Sequence, residues 1–402
     1  MKKGKDLKPH IGIFGRRNVG KSSFINAITA SEVAIVSDIA GTTTDPVKKS
    51  MEIFGIGPAI IVDTAGIDDS GTLGEKRIEK SLQIIKNMDC AILVISDNMF
   101  DDFEINLIRE FNNYDIPYLI VHNKLDISGI SNKKIKQIRE VTEAAIIEFS
   151  AATGQNMELL IEAIKGTIPE TAYQKSSLLG GIISKGDIVM LITPVDSEAP
   201  DGRMILPQVM AIRDVLDQDA INIVVKETEA EFFLKSTGIK PKLVVTDSQA
   251  FGYVSKIIPH DIPLTGFSIA YARMRGPFED YVKGVKKLSD LNDGDRILIL
   301  ESCTHQVSCD DIGRFKIPRW IKEFSKKELE FDITSGLNEI KRPVTDYAMI
   351  IQCGGCMITR KQVHNRLKTA IDADIPVTNY GIAIAYMNGI FERAVSPFIN
   401  SK

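Results

Sequence analysis

Two cysteines separated by two glycines, Cys353-Gly354-Gly355-Cys356, end a short apolar run, residues 349–351, and have the look of a soft-metal site. The run reads as a buried strand. Directly after it, Thr359-Arg360-Lys361-Gln362 has the form of a helix capping box, and Val363, Leu367, Ala370 and Ile371 recur at helical spacing, so the cysteines fall in a strand-to-helix turn. The free N–H groups of a helix start suit thiolates, and glycines let the backbone pack close to a bulky inorganic group. A second apolar run, 297–300, stops at Glu301-Ser302-Cys303-Thr304-His305. Ligands in an open α/β sheet collect at the carboxyl ends of neighbouring strands, so Cys303, His305, Cys353 and Cys356 are expected to share one site. Glu301 is read as a solvated carboxylate, with an oxygen ligand as the alternative.

A separate chemistry opens the chain. The apolar strand 11–14 leads into Gly15-Arg16-Arg17-Asn18-Val19-Gly20-Lys21-Ser22, the G-x-x-x-x-G-K-S loop, and then into a helical run from Ser23. In that context the loop residues Gly15, Asn18, Val19, Gly20 and Ser23 cradle the phosphates, Lys21 reaches the β and γ phosphates, and the Ser22 hydroxyl binds Mg2+. Asp63-Thr64-Ala65-Gly66 follows the run 59–62, placing Asp63 in the magnesium shell and the Gly66 N–H at the γ-phosphate. Asn123-Lys124-Leu125-Asp126 follows the strand 118–121, and Ser150-Ala151 follows 146–149 to close the base pocket. Asp126, expected as a buried carboxylate, accepts from both guanine donors and would be left short by adenine, so GTP is chosen over ATP.

The elements that must hold these residues fit an ordinary globular chain. At 402 residues two to four domains are expected. A net charge of -4 and the absence of a basic, aromatic-rich stretch argue against a nucleic-acid partner. No apolar run approaches a membrane span and the leader lacks a signal core, so a cytoplasmic protein with reduced cysteines is expected. Cys90 reads as core and Cys309 as a structural thiol, with a spare ligand as the alternative. The fold class is α/β: a P-loop GTPase domain over 1–170, a small α/β domain over 178–264 without ligand residues, read as a scaffold or self-association (dimerisation) surface, and an α/β domain over 265–402 that carries the cysteine ligand pattern. Within these, strands are expected at 182–194, 221–226 and 242–245, a crossing at 259–267, and a helix over 280–288.

The four nucleotide motifs in this order resemble the translation-factor-type GTPases that include the Era and tRNA-modification proteins. By that resemblance switch I is 41–45, with Thr43 the magnesium ligand and Thr42 the alternative, although Ala40 and Thr44 stand where those relatives carry proline and arginine. Ile67 replaces the water-orienting glutamine of Ras-like proteins, which implies slow intrinsic hydrolysis or a different activator. Asn18 matches the asparagine that helps bind K+ in some members.

Joined to Cys-x-His, 47 intervening residues and Cys-Gly-Gly-Cys, the motif set is similar to the FeFe-hydrogenase maturation GTPases, the HydF scaffold family. The resemblance implies a homodimeric GTPase that holds a 4Fe-4S cluster on Cys303, Cys353 and Cys356. It also implies a diiron precursor carried to apo FeFe-hydrogenase, with two radical-SAM maturases as partners. His305 would ligate iron, shape an open position or hydrogen-bond nearby; three thiolates and one labile position suit a carrier. The alternative is a GTP-dependent RNA-modification or ribosome-assembly factor whose three cysteines and one histidine bind zinc.

Overall fold

The computed structural model describes residues 8–29, 34–38, 47–53, 57–64, 84–169, 172, 177–194, 204–302 and 312–399. The chain divides into two compact units, Met1–Lys175 and Ser176–Lys402.

The first unit is built on β1 (His10–Phe14), β2 (Ala34–Asp38), β3 (Val47–Ile53), β4 (Gly57–Asp63), β5 (Cys90–Ile95), β6 (Tyr118–His122) and β7 (Ile146–Glu148), in the order β2-β3-β4-β1-β5-β6-β7. β4, β1, β5, β6 and β7 pair in parallel, and β2 and β3 add an antiparallel edge. A central parallel strand is covered on both faces and so carries no polar alternation; in β5 every residue, Cys90 included, is buried. Helices α1 (Lys21–Thr29), α2 (Asp102–Asn113), α3 (Asn132–Arg139) and α4 (Met157–Thr167) accompany the sheet. Two core clusters form, one with Phe24 edge-on to Phe149 at 5.6 Å and one with Phe14 edge-on to Phe111 at 5.1 Å.

The second unit holds two parallel sheets of four strands. One contains β8 (Ile188–Ile192), β9 (Ile221–Val225), β10 (Leu243–Thr246) and β11 (Leu264–Gly266) in the order β11-β10-β8-β9. The other contains β12 (Arg296–Leu300), β13 (Glu330–Thr334), β14 (Met349–Gln352) and β15 (Val377–Asn379) in the order β13-β12-β14-β15. Numbered from its own first strand, each sheet reads 2-1-3-4. The helices are α5 (Leu206–Asp217), α6 (Glu227–Thr237), α7 (Phe251–Ile257), α8 (Phe267–Arg275) and α9 (Phe278–Gly284), then α10 (Ile317–Ser325), α11 (Arg360–Asp372), α12 (Tyr380–Met387) and α13 (Phe391–Ile399).

The shared topology is a duplication that also shows in residue identities. Residues 261–282, DIPLTGFSIAYARMRGPFEDYV, and 374–395, DIPVTNYGIAIAYMNGIFERAV, agree at 12 of 22 positions. Each sheet is entered by the same turn: Gly186 and Gly294 have φ of +82 and +84°, and Asp187 and Asp295 accept the N–H of Ser184 and Asn292 at 2.8 and 2.9 Å. The two copies grip each other reciprocally. Thr265 Oγ1 donates to the Ala394 carbonyl at 2.7 Å, and its counterpart Thr378 donates to the Tyr281 carbonyl at 3.0 Å. α8 packs on its counterpart α12, α9 on β15 and α13 on β11. Such an exchange is what a local two-fold relation produces. Gly381 has no room for a side chain, because a Cβ there would stand 2.8 Å from the Cβ of its counterpart Ser268. One core, from Leu191 and Phe267 to Ile351 and Ile384, runs through both copies.

Several sequence expectations change. The strand expected over 182–194 is only β8, because the Gly186-Asp187 turn precedes it. The crossing expected at 259–267 contains β11, an edge strand of the first of these sheets, and the boundary expected at 264/265 falls inside it. The helix expected over 280–288 is α9, starting at Phe278, followed by a 3-10 turn over Val285–Asp290.

Candidate functional site

In the first unit β1 delivers the chain into the loop 15–20 and α1 starts at Lys21. Gly15, at φ +141°, lies so close to β5 that a Cβ would stand 2.2 Å from the Val94 carbonyl oxygen, and Gly20, at φ +91°, would meet Asn123 Nδ2 at 2.5 Å. Only glycine fits either place. Lys21 Nζ donates to the Gly15 and Arg16 carbonyls at 2.8 and 2.6 Å, holding the ammonium over its own loop. Beside it opens a cavity of about 440 Å³ lined by Arg17, Asn18, Gly20, Lys21, Ser22, Ser23, Asp63 and Thr64. Burial pushes the Asp63 carboxyl up from its ordinary value, against the opposing pull of Lys21 and Lys49.

The base-side motifs are tied to the loop by one residue. Buried Asn123 donates from Nδ2 to the Val19 carbonyl at 2.9 Å and accepts the Ala151 N–H on Oδ1 at 3.0 Å. Its loss would leave the Val19 carbonyl without this partner, at about 1–3 kcal/mol for a buried polar group. Lys124, at φ +65°, pairs with Asp97 at 3.0 Å, and Ser150 Oγ donates to Asp126 Oδ1 at 2.5 Å. Asp126 itself is exposed and not buried as expected, since the chain leaves the sheet at His122 and carries it out in the following turn. Thr42, Thr43, Gly66 and Ile67 lie outside the described residues.

Arg16 has a role that its place in a variable loop position does not announce. Its Nε donates to Glu104 Oε1 at 2.8 Å, it pairs with Asp101, and its guanidinium lies 5.0 Å from the Phe103 ring centroid. Asp101 and Glu104 also make the capping box of α2, so the phosphate loop and that helix start share two carboxylates. The Asp-x-x-Glu spacing is a signal that could have found this helix start; its third partner leaves none.

In the second unit β12 and β14 are hydrogen-bonded neighbours, with Leu300 opposite Gln352, so the two apolar runs do end side by side. The Ser302 N–H donates to Cys353 Sγ at 3.1 Å, and buried Gln352 places Nε2 3.4 Å from the same sulfur and 3.1 Å from Ser302 Oγ. Thr359 caps α11 as expected: its Oγ1 accepts from the Gln362 N–H, and Gln362 Oε1 accepts from its N–H at 2.9 Å. Cys353 and Cys356 are both half-buried in the turn before that cap. Cys303, His305 and Cys309 lie outside the described residues, and among the described residues no three or more Cys, His, Asp or Glu gather as a metal site.

Glu301 departs from both sequence readings, being neither solvated nor a free oxygen ligand. It is buried, its carboxylate is held by Arg314 at 3.0 Å, and it accepts the Ser335 hydroxyl at 2.7 Å. Behind it Arg366 donates to the Glu301 and Thr334 carbonyls at 2.8 and 2.9 Å, and burial draws its pKa down while Cys353, Tyr380 and Glu301 oppose the shift. No motif marks these arginines: Arg366 donates to backbone carbonyls, and Arg314 reaches a carboxylate and a hydroxyl 13 and 21 residues away in the chain.

A strand, a glycine-pinned phosphate loop, a carboxylate at the end of the neighbouring parallel strand and an Asn-Lys-x-Asp turn bound to that loop define a P-loop GTPase domain. Residues 10–124 match the 50S ribosome-binding GTPase model. The chain is 34% identical over 155 residues to the tRNA modification GTPase MnmE of Nitrosomonas eutropha, covering 38% of this chain and 33% of that one. It is 36% identical over 163 residues to the GTPase Der of Wolinella succinogenes, covering 38% and 34%. The chain thus spans about a third of the length of these curated relatives. Among solved structures, Aquifex aeolicus Era bound to GDP.AlF4- is 21% identical, with a TM-score of 0.34, covering 57% of this chain and 98% of that one. Residues 178–276 match the hydrogen maturase F dimerization domain and 279–397 the hydrogen maturase F tetramerization domain. The chain belongs to the hydrogen maturase F family.

Proposed function

We propose that this protein is a GTP-hydrolysing scaffold that holds a 4Fe-4S cluster on Cys303, Cys353 and Cys356 and delivers a diiron precursor to apo FeFe-hydrogenase. The reading is carried by the adjacency of β12 and β14, which brings the chain just before Cys303 to 3.1 Å from the Cys353 sulfur. Hydrogen bonds from N–H groups to a ligand sulfur are the kind that tune iron-sulfur sites, so the residues present suit that group. When bound, such a cluster supplies iron with a coordination position that His305 or an exchangeable ligand can fill.

The residues of this chain divide the work. Lys21, Ser22 and Asp63, with Thr43, hold GTP and Mg2+, while Gly66 reports the γ-phosphate. Asn18 lines the same cavity and supports a K+ site there. Asn123, Lys124, Asp126, Ser150 and Ala151 bind the base. Two radical-SAM maturases supply the precursor, and a homodimer forms through the first copy of the duplicated fold, in the cytoplasm.

Anaerobic reconstitution followed by iron, sulfide and zinc analysis tests the proposal. About four irons per chain with a broad absorption near the visible blue support it; one zinc and no iron overturns it in favour of the zinc-bearing RNA-modification alternative.

A further inference from the structure

Arg275 closes α8, the helix that follows β11 in the first copy, and its side chain leaves that copy. It is 5% exposed. Its Nη1 lies 2.8 Å from the Gly355 carbonyl oxygen, 2.6 Å from that of Ile358 and 3.3 Å from that of Cys356. A loop that reverses at Gly355, φ +72°, turns these carbonyls away from any ladder, and buried carbonyls need a donor. One cation reaches all three, joined at Gly355 by the Ile358 N–H at 3.3 Å, and its guanidinium carbon lies 5.4 Å from the Tyr271 ring centroid.

The duplication provides an internal control. The counterpart of Arg275 is Asn388, which closes α12 and approaches the other copy at the equivalent place: a Cβ on Gly252, the counterpart of Ile358, would stand 3.1 Å from Asn388 Oδ1. The segment after β10 that Asn388 meets carries Asp247 and Ala250 where the segment after β14 carries Cys353 and Cys356. So the same helix end meets the same turn in both directions. A buried cation stands only where the turn holds cysteines.

We infer that Arg275 is a positioning residue for the 353–356 loop, contributed by the dimerisation-domain copy to set the loop's shape before metal arrives. It touches carbonyls and not sulfur, so its effect is on loop geometry. The inference rests on the reading of Cys353 and Cys356 as cluster ligands.

The full chain, prepared metal-free under anaerobic conditions, provides the test. Loss of these hydrogen bonds in Arg275→Gln should speed backbone hydrogen exchange over 354–358 by about tenfold or more. The same variant, once reconstituted, should lose iron to a chelator about tenfold faster than wild type. Arg275→Lys should fall between, and Asn388→Ala should match wild type in both readouts. Unchanged exchange in Arg275→Gln overturns the inference, as does unchanged iron retention despite a loosened loop, or an equal effect of Asn388→Ala. Should Arg275→Gln fail to fold, as judged by its melting transition, the Arg275→Lys and Asn388→Ala pair carries the same comparison. A wild-type chain that takes up no iron would instead sink the ligand reading, and the metal-free exchange would still decide whether Arg275 shapes the loop.

Discussion

The backbone N–H of Ser302 reaches the sulfur of Cys353 at 3.1 Å although 51 residues of chain separate them. Parallel pairing of β12 with β14 makes this contact, and it brings the residue before Cys303 against the first cysteine of the Cys-Gly-Gly-Cys turn. The ends of two neighbouring strands thus meet at this sulfur.

Cys303→Ala, Cys353→Ala and Cys356→Ala should each lose most of the iron, since thiolates neutralise the metal charge and supply most of the bond strength. His305→Ala should keep most of its iron and shift the electron paramagnetic resonance spectrum of the reduced cluster. Added imidazole or cyanide should perturb the wild-type spectrum as well. Complete iron loss in His305→Ala, with a wild-type spectrum indifferent to added ligands, would mean four fixed protein ligands.

Lys21→Ala or Ser22→Ala should abolish GTP hydrolysis while iron content stays at the wild-type level, because the two sites belong to separate compact units. The wild-type rate should rise when K+ replaces Na+. Equal rates in the two salts would remove Asn18 from the site.

Asp126 loses two donors when adenine replaces guanine. At about 1.5–3 kcal/mol for each hydrogen bond to a charged group, GTP should bind about 10²- to 10⁴-fold more tightly than ATP. Asp126→Asn should move the preference to xanthine nucleotides. Equal competition by ATP in a displacement titration would remove Asp126 from the base pocket.

Arg16→Ala should weaken nucleotide binding and lower the stability of the first unit together. Glu104, 1% exposed, would keep a buried carboxylate without its main partner, and breaking a buried pair from one side costs about 3–5 kcal/mol. Replacing both members, Arg16→Met with Glu104→Gln, should recover part of the stability, and thermal unfolding of the single and double variants measures the difference. Full additivity would show that the pair does not couple the loop to α2.

Among the described residues β9 is an edge strand of its sheet, and Ile221 and Val224 are 51% and 42% exposed on it. An open edge carrying apolar side chains invites pairing with a second chain unless charge blocks it. Val224→Lys should shift the sedimentation profile toward smaller species at micromolar concentration. An unchanged profile would show that this edge takes no part in oligomerisation.

The nucleotide site could be read in the sequence because each motif is local: the loop, Asp63 and Asn123 each follow their own strand, and no distant residue is needed to recognise them. Asp126 shows the limit, since a motif states which group faces the base but not how far the chain carries it from the sheet. The site's supports were harder to see. Arg275 and Arg366 bind backbone carbonyls, which leave no residue signature, and Arg314 pairs with Glu301 across a distance in the chain that no local motif spans. The duplication was written in the chain, in the matching stretches 261–282 and 374–395, but periodicity within single elements does not look for agreement at a distance of 113 residues. Once missed, it hid β11, whose residues read as a connection only when their counterpart in β15 is not recognised.

Two identical chains meeting about a symmetry axis cannot differ across it, for any substitution appears on both sides. Here the partners are consecutive parts of one polypeptide, so Thr265 and Thr378 can stay alike while Arg275 and Asn388 differ. Covalent continuity thus turns a matched pair into a specialised one: one half is free to acquire thiols and the other to acquire the cation that steadies them, and both are made in fixed proportion from a single message.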